Sequence, residues 1–266
     1  MIGARQVVHP RLRYAAAQLH PIPRSPPLAP RNITTVTYRR SPERSPWLRR
    51  LIYFGTFGVL GVAVGKWATD PLNPPHLPGD EGDEEVMEYI RQAFSLETIV
   101  EQLREDPDYT EAHVYGNYSG EDKEQRLTSG PLRGGGGLAL QKVFWNNKEK
   151  KAVNVVWLGK GIEGWPMVVH GGAIATIIDE HLARVAIQHL PERTAVTANL
   201  DINYRNMAWS HSFYYVHATL DQERSTDRKA YVKGEVRDGK GNVCAEASGL
   251  FVVPRGYKLR SLGETY

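Results

Sequence analysis

The sequence predicts an α+β domain over its C-terminal half, one long helix wrapped by an antiparallel sheet, preceded by a transmembrane helix and a helical linker region. Three features predict it. Strand-like runs surround a single long helical stretch in the order β-β-α-β-β-β-β, the plan of a mixed α+β layer. Residues 51–65, LIYFGTFGVLGVAVG, carry no charge. Charge is also split along the chain. Residues 1–50 hold ten Arg, no Lys and one acid, for +9, whereas the other 216 hold 23 Lys and Arg against 29 Asp and Glu, for −6.

The first 42 residues contain no Asp or Glu and carry Arg5, Arg11, Arg13, Arg24, Arg31, Arg39 and Arg40 among Ser and Thr. That composition is expected of a mitochondrial transit peptide, with a basic tail as the alternative. Prolines between Pro21 and Pro30 restrict any targeting helix to about the first twenty residues. Leu51 to Ala68, interrupted only by Lys66, has the length of a short membrane span; a signal-peptide apolar region, which is shorter and nearer the N-terminus, and a buried core helix are the competing readings. Lys66 can snorkel, Trp67 suits an interface, and Gly61 with Gly65 permits close helix packing. Arg44, Arg49 and Arg50 precede the span and Asp70, Asp80, Glu81, Asp83, Glu84 and Glu85 follow it. The positive-inside tendency then leaves the N-terminus in the matrix and the main domain in the intermembrane space, across the inner membrane.

Residues 70–83 read as a proline-rich acidic linker. Val86, Met87, Ile90 and Phe94, then Leu96, Ile99, Val100 and Leu103, repeat at helical spacing; over 84–105 they are expected to pack on the domain or cover a site entrance. TSGPLRGGGG at 128–137 reads as a flexible loop. It has neither the Gly-Lys-Ser/Thr of a phosphate-binding loop nor a dinucleotide fingerprint. Arg133 is a phosphate candidate there or a solvated loop residue. From Leu138 the strands begin: LALQKVFWN, KAVNVVWLG, then the helix at 170–189, then TAVTANLDINYR, HSFYYVHATLD, RKAYVKGEVRD and VCAEASGLFVV. The expected boundaries are 1–45 targeting, 49–68 membrane helix, 69–125 linker and accessory helices, 126–256 main domain and 257–266 tail.

Function classes narrow quickly. The single cysteine, Cys244, excludes an intramolecular disulfide and a cysteine-based zinc site. The mildly acidic main domain argues against nucleic acid as a partner. His113, His181, His189, His211 and His217 lack metal-ligand spacing and read as structural or exposed.

The long helix carries the chemistry. Gly171 and Gly172 open it and let a ligand approach the backbone. First-turn amides lack internal partners and lie at the positive end of the dipole, where a carbonyl oxygen gaining negative charge is stabilised. Asp179, beside Ile177 and Ile178, costs stability unless paired or functional. Eight residues separate Gly171 from Asp179, about 12 Å along the axis. One helix cannot offer both groups to one carbonyl; two antiparallel helices across a two-fold axis can. The spacing therefore predicts a dimer with two shared sites.

VVHGGAIATIIDE at 168–180, VTANLDINYR at 196–205 and CAEASGLFVVP at 244–254 resemble the hotdog thioesterase superfamily, in the branch of PaaI-like and THEM4-like acyl-CoA thioesterases. DEHLARVAI with LPERTAVTANLDINY is similar to a group of fungal mitochondrial members with a membrane span. The resemblance covers roughly residues 130–255 and implies a hotdog fold. It implies hydrolysis of a fatty acyl-CoA to free acid and CoA, with no metal or redox cofactor. By the same resemblance His170 positions the loop before the helix and Gly171 donates its N–H to the thioester carbonyl, with Gly172 allowing close approach. Asp179 is general base or nucleophile, and Thr197 orients the acid or the water. Arg205, with Tyr204, is a candidate for the CoA phosphates; edge packing and surface charge explain the pair equally well. A homodimer or homotetramer at a mitochondrial membrane is implied.

Two departures matter. Some members place an Asn or Gln before the His-Gly-Gly as a second carbonyl donor; GKGIEGWPMVVHGG has neither in its last ten positions. Glu180 and His181 follow Asp179 directly. Glu180 points about 100° away from Asp179 and is expected to pair with Arg184 on the solvent face. A non-catalytic acyl-CoA or lipid-binding protein, or a membrane-tethered scaffold, is the rival reading. A panel of acyl-CoAs separates them: thiol release that vanishes in Asp179→Ala marks the enzyme, binding without release the binder, and neither the scaffold.

Overall fold

A computed structural model describes residues 46–69, 74–116 and 118–256. The targeting segment and the C-terminal tail lie outside these residues. Helix α1, Pro46–Thr69, begins on a proline, which is preorganised for the first helical position. Its stretch Trp47–Lys66 is long and apolar enough to cross a membrane, and none of it is buried. Phe54, Phe57 and Val59 are among its exposed side chains.

Two amphipathic helices follow, α2 (Glu81–Ser95) and α3 (Thr98–Glu105). Strand β1 (Tyr109–His113) and a short helix α4 (Gly120–Glu124) come next. Then come β2 (Leu138–Asn146), β3 (Lys151–Leu158), a small hairpin β4 (Glu163–Trp165) and β5 (Val168–Val169), and the long helix α5 (Gly171–His189). Strands β6 (Val196–Tyr204), β7 (Ser212–Leu220), β8 (Lys229–Asp238) and β9 (Val243–Val252) complete the domain. Seven strands form one antiparallel sheet in the order β1-β2-β3-β7-β8-β9-β6. β1 belongs to this sheet, so the sheet starts before residue 126, within the stretch expected as linker. YTEAH is too short and too polar to announce a strand by its pattern.

The inner face of the sheet holds α5. Ile174, Ile177, Ile178, Leu182, Val185 and Ala186 pack there against Val156, Tyr214, Val216, Val232, Ala245 and Phe251. Gly234 of β8 is required by this packing, because a Cβ there would lie 2.6 Å from Leu182 Cδ1. The outer face is not left to water. Ile90 and Phe94 of α2 and Val100 and Leu103 of α3 bury Phe144, Val153, Val155, Trp157, Phe213 and Tyr215. Covered on both sides, β3 is apolar from Ala152 to Leu158 except for the buried Asn154, rather than alternating. Of the two roles expected for 84–105, packing on the domain is observed, on the sheet face opposite α5.

The glycine-rich stretch is a packed seam rather than a flexible loop. Asp83, 4% exposed, accepts the N–H groups of Gly79 at 3.0 Å and Gly135 at 2.6 Å. A Cβ on Gly135 would lie 2.5 Å from Val86 Cγ1. The glycines are there so that the segment from residue 74 to 86 can lie directly on backbone. Arg133 stays half-exposed, 3.8 Å from Glu124.

Candidate functional site

His170 caps α5. Its backbone is extended (φ −62°, ψ 131°), and its Nδ1 accepts the N–H of Gly172 at 2.9 Å. A Cβ on Gly172 would lie 2.9 Å from that nitrogen, so glycine is needed for the cap to close. The His170 carbonyl accepts from Ala173 and Ile174. Gly171 N–H is left with no partner among the described residues. The Tyr204 hydroxyl, from the end of β6, donates to the Gly171 carbonyl at 2.7 Å. Tyr204 thus buttresses the helix start, a role that residue spacing could not reveal because the two lie 33 positions apart.

Two turns further on, Asp179 Oδ1 accepts from Thr197 Oγ1 at 2.9 Å. Asp179 is half-buried and Thr197 exposed, on an edge strand that pairs only with β9. Burial raises the Asp179 carboxyl above its usual range; the Thr197 hydrogen bond opposes this, and the neighbouring Glu180 charge adds to the rise. Such a carboxylate is a stronger base than a solvated one. The structure therefore brings His170, Gly171, Gly172 and Tyr204 together at one end of α5, and Asp179 and Thr197 together at another. It does not bring the two groups together within one subunit.

Arg205 forms two hydrogen bonds to Glu246 Oε2, at 2.7 and 2.9 Å, and both side chains are exposed. It lies at the rim beyond Tyr204. The broad groove across the outer face of β6–β9, lined by Asp201, His217, Lys233, Glu235 and Glu246, contains none of the site residues.

Glu180 departs from expectation. It does pair with Arg184, at 2.6 Å, but both are buried, at 9% and 1% side-chain exposure, not on a solvent face. The helix is enclosed on that side by Tyr115 and Thr128, which the apolar pattern does not register because their contacts to Glu180 are polar. His181 is fully buried, with Nε2 3.3 Å from the Ala152 carbonyl. Burial, helped by the Arg184 charge, pushes its pKa down to about 3, so it is a neutral structural residue. Among the described residues no group of three or more His, Cys, Asp or Glu could hold a metal.

Residues 167–245 match the family model of the thioesterase superfamily. This segment belongs to that superfamily. The hotdog domain extends from it on both sides, through β2 and β3 before it and the rest of β9 after it. Over 226 residues the chain is 27% identical to the UPF0644 protein PB2B4.06 of Schizosaccharomyces pombe, covering 82% of this chain and 86% of that protein. It is 33% identical over 135 residues to the acyl-coenzyme A thioesterase THEM4 of Bos taurus, covering 49% and 54%. It is 32% identical over 126 residues to FMP10 of Saccharomyces cerevisiae, described as an uncharacterized mitochondrial membrane protein, covering 46% and 50%. The chain spans about half the length of THEM4 and FMP10. The similarities to THEM4 and FMP10 support a THEM4-like branch for the hotdog domain.

Proposed function

We propose that this protein is a membrane-anchored mitochondrial acyl-CoA thioesterase, active as a homodimer. The observation that carries the reading is the pair of half-sites on α5: an uncommitted Gly171 N–H at the positive helix end, and a half-buried Asp179 held by Thr197 at the sheet edge. In a two-fold dimer the Gly171 amide of one subunit faces Asp179 of the other. The thioester oxygen accepts from the amide as negative charge develops on it. Asp179 takes a proton from the attacking water, or attacks the carbonyl itself to give a mixed anhydride that water then hydrolyses, and CoA departs as a thiolate that takes up the proton. His170 and Gly172 hold the helix start, Tyr204 braces it, and Arg205 at the rim is placed for the phosphates of CoA, exchanging Glu246 for them.

Support for the dimer comes from β6, a nine-residue edge strand with most side chains exposed. A long unpaired edge of this kind is a ready template for another strand. The similarity to FMP10, a mitochondrial membrane protein, and the span Trp47–Lys66 support the location, and the charge flanks favour a domain in the intermembrane space. A non-catalytic acyl-CoA binder is favoured by one observation only, the lack of a side-chain amide between Lys160 and Val169. The test is thiol release from a panel of acyl-CoAs by the full-length protein. The thioesterase reading expects release that disappears in Asp179→Ala. Tight binding without release by the wild type favours the binder.

A further inference from the structure

The residue that follows Asp179 is gripped by a separate part of the chain. Glu180 is only 8% exposed. Its Oε1 accepts from Thr128 Oγ1 at 2.9 Å, from Arg184 Nη2 at 2.6 Å and from the Tyr115 hydroxyl. The Arg184 guanidinium lies 5.5 Å over the Tyr115 ring, and Tyr118 packs edge-on against Tyr115 with centroids 5.2 Å apart. Tyr115 has φ 56°, an uncommon backbone state for a bulky aromatic residue. Thr128 is 3% exposed. Burial and the Glu180 charge both push the Tyr115 hydroxyl upward, so it remains a protonated donor.

Stability alone is a poor reason for this cluster, because a buried ion pair is often no better than apolar residues of the same volume. Orientation is a better one. Side-chain tips on a helix lie about 5–6 Å from its axis, so a roll of about 10° carries the Asp179 carboxylate about 1 Å. A displacement of about 1 Å in a reacting group can cost on the order of a hundredfold in rate. Thr197 holds the Asp179 carboxylate from β6; the grip on Glu180 holds the helix itself from elsewhere.

We propose that Tyr115 and Thr128 are positioning residues for Asp179, fixing the roll of α5 through Glu180 and so forming a working part of the site. This rests on the thioesterase reading. The test uses the full-length protein in nanodiscs, with Tyr115→Phe, which keeps the ring over Arg184, and the pair Thr128→Val and Thr128→Ser. Both kinetics on an acyl-CoA and amide hydrogen exchange of α5 are read. Tyr115→Phe and Thr128→Val each lower kcat about tenfold with KM within about twofold, and exchange quickens across 176–184. Thr128→Ser, which keeps the donor, retains kcat. Unchanged kcat in both Tyr115→Phe and Thr128→Val overturns the proposal, as does an equal loss in Thr128→Ser and Thr128→Val. Wild-type protein without thiol release refutes the thioesterase reading instead. Exchange then decides the grip by itself: faster in Tyr115→Phe upholds it, and unchanged removes it.

Discussion

Replacing Arg184 by Met leaves the Glu180 carboxylate buried without its cation. The pair is 2.6 Å apart with side chains 1% and 9% exposed, so solvent screens it little. Thr128 and Tyr115 still donate to Glu180, but neither carries charge. Breaking a buried pair on one side costs about 3–5 kcal/mol. For a domain of this size each kcal/mol shifts Tm by roughly 2–4 °C, so a fall of about 10 °C is expected. Thermal melting followed by circular dichroism in detergent measures it. Glu180→Gln combined with Arg184→Met removes both charges and keeps an oxygen acceptor for Tyr115 and Thr128. The double variant is expected to recover most of the loss. A single variant that melts within about 2 °C of wild type, or a double variant that melts as low as the single, refutes the buried, paired Glu180 described here.

Other expectations follow from the same geometry. In the proposed mechanism Asp179 acts ionised, and its pKa is raised by burial, so activity is expected to fall as pH drops through that raised value. Thr197→Val removes the one hydrogen bond opposing the rise, and the acid limb of the pH–rate profile moves to higher pH; a shift to lower pH contradicts the pairing. A carboxyl with a raised folded pKa destabilises the fold once ionised, so Asp179→Asn melts higher than wild type at neutral pH while losing turnover, and the gap closes in acid. Gly172→Ala forces a Cβ within 2.9 Å of His170 Nδ1, disrupts the cap at a cost of about 1 kcal/mol and lowers kcat, whereas a Cβ on Gly171 meets Tyr204 at an ordinary 3.4 Å; chemical denaturation ranks the two. His181 has its pKa depressed from 6.5 to about 3, so the unfolded state binds the extra proton and stability falls as pH drops below about 6.5. In His181→Leu the unfolding free energy from urea titration loses up to about 1.4 kcal/mol per pH unit of that dependence.

Much of the domain was legible because its strands and helix obey periodicity. The helix expected at 170–189 is found at Gly171–His189, and the strand expected from LALQKVFWN is found at Leu138–Asn146. Polar and glycine-mediated packing was not legible. TSGPLRGGGG looks mobile by composition, yet Asp83 and Val86, fifty residues earlier, determine its conformation. Glu180 and Arg184 have the spacing of a surface pair, and only the enclosure by Tyr115 and Thr128 makes them a core feature. At the site, the Thr197 hydroxyl donates to Asp179, and Gly171 opens the same helix two turns earlier. Tyr204 was weighed only for phosphates or edge packing, because its bond to Gly171 depends on how β6 crosses the helix start.

Mixed dimers test the shared site most directly. Gly171 is the first residue of α5 and His170 before it is already extended, so Gly171→Pro removes the N–H with little strain on the helix. Gly171→Pro and Asp179→Asn are each expected to be inactive. After subunit exchange at equal concentrations, half of the dimers are mixed, and each mixed dimer holds one intact site and one doubly defective site. Thiol release then returns to about a quarter of the wild-type rate. Two inactive variants that stay inactive when mixed, with exchange verified, contradict a site built from the helix start of one subunit and Asp179 of its partner.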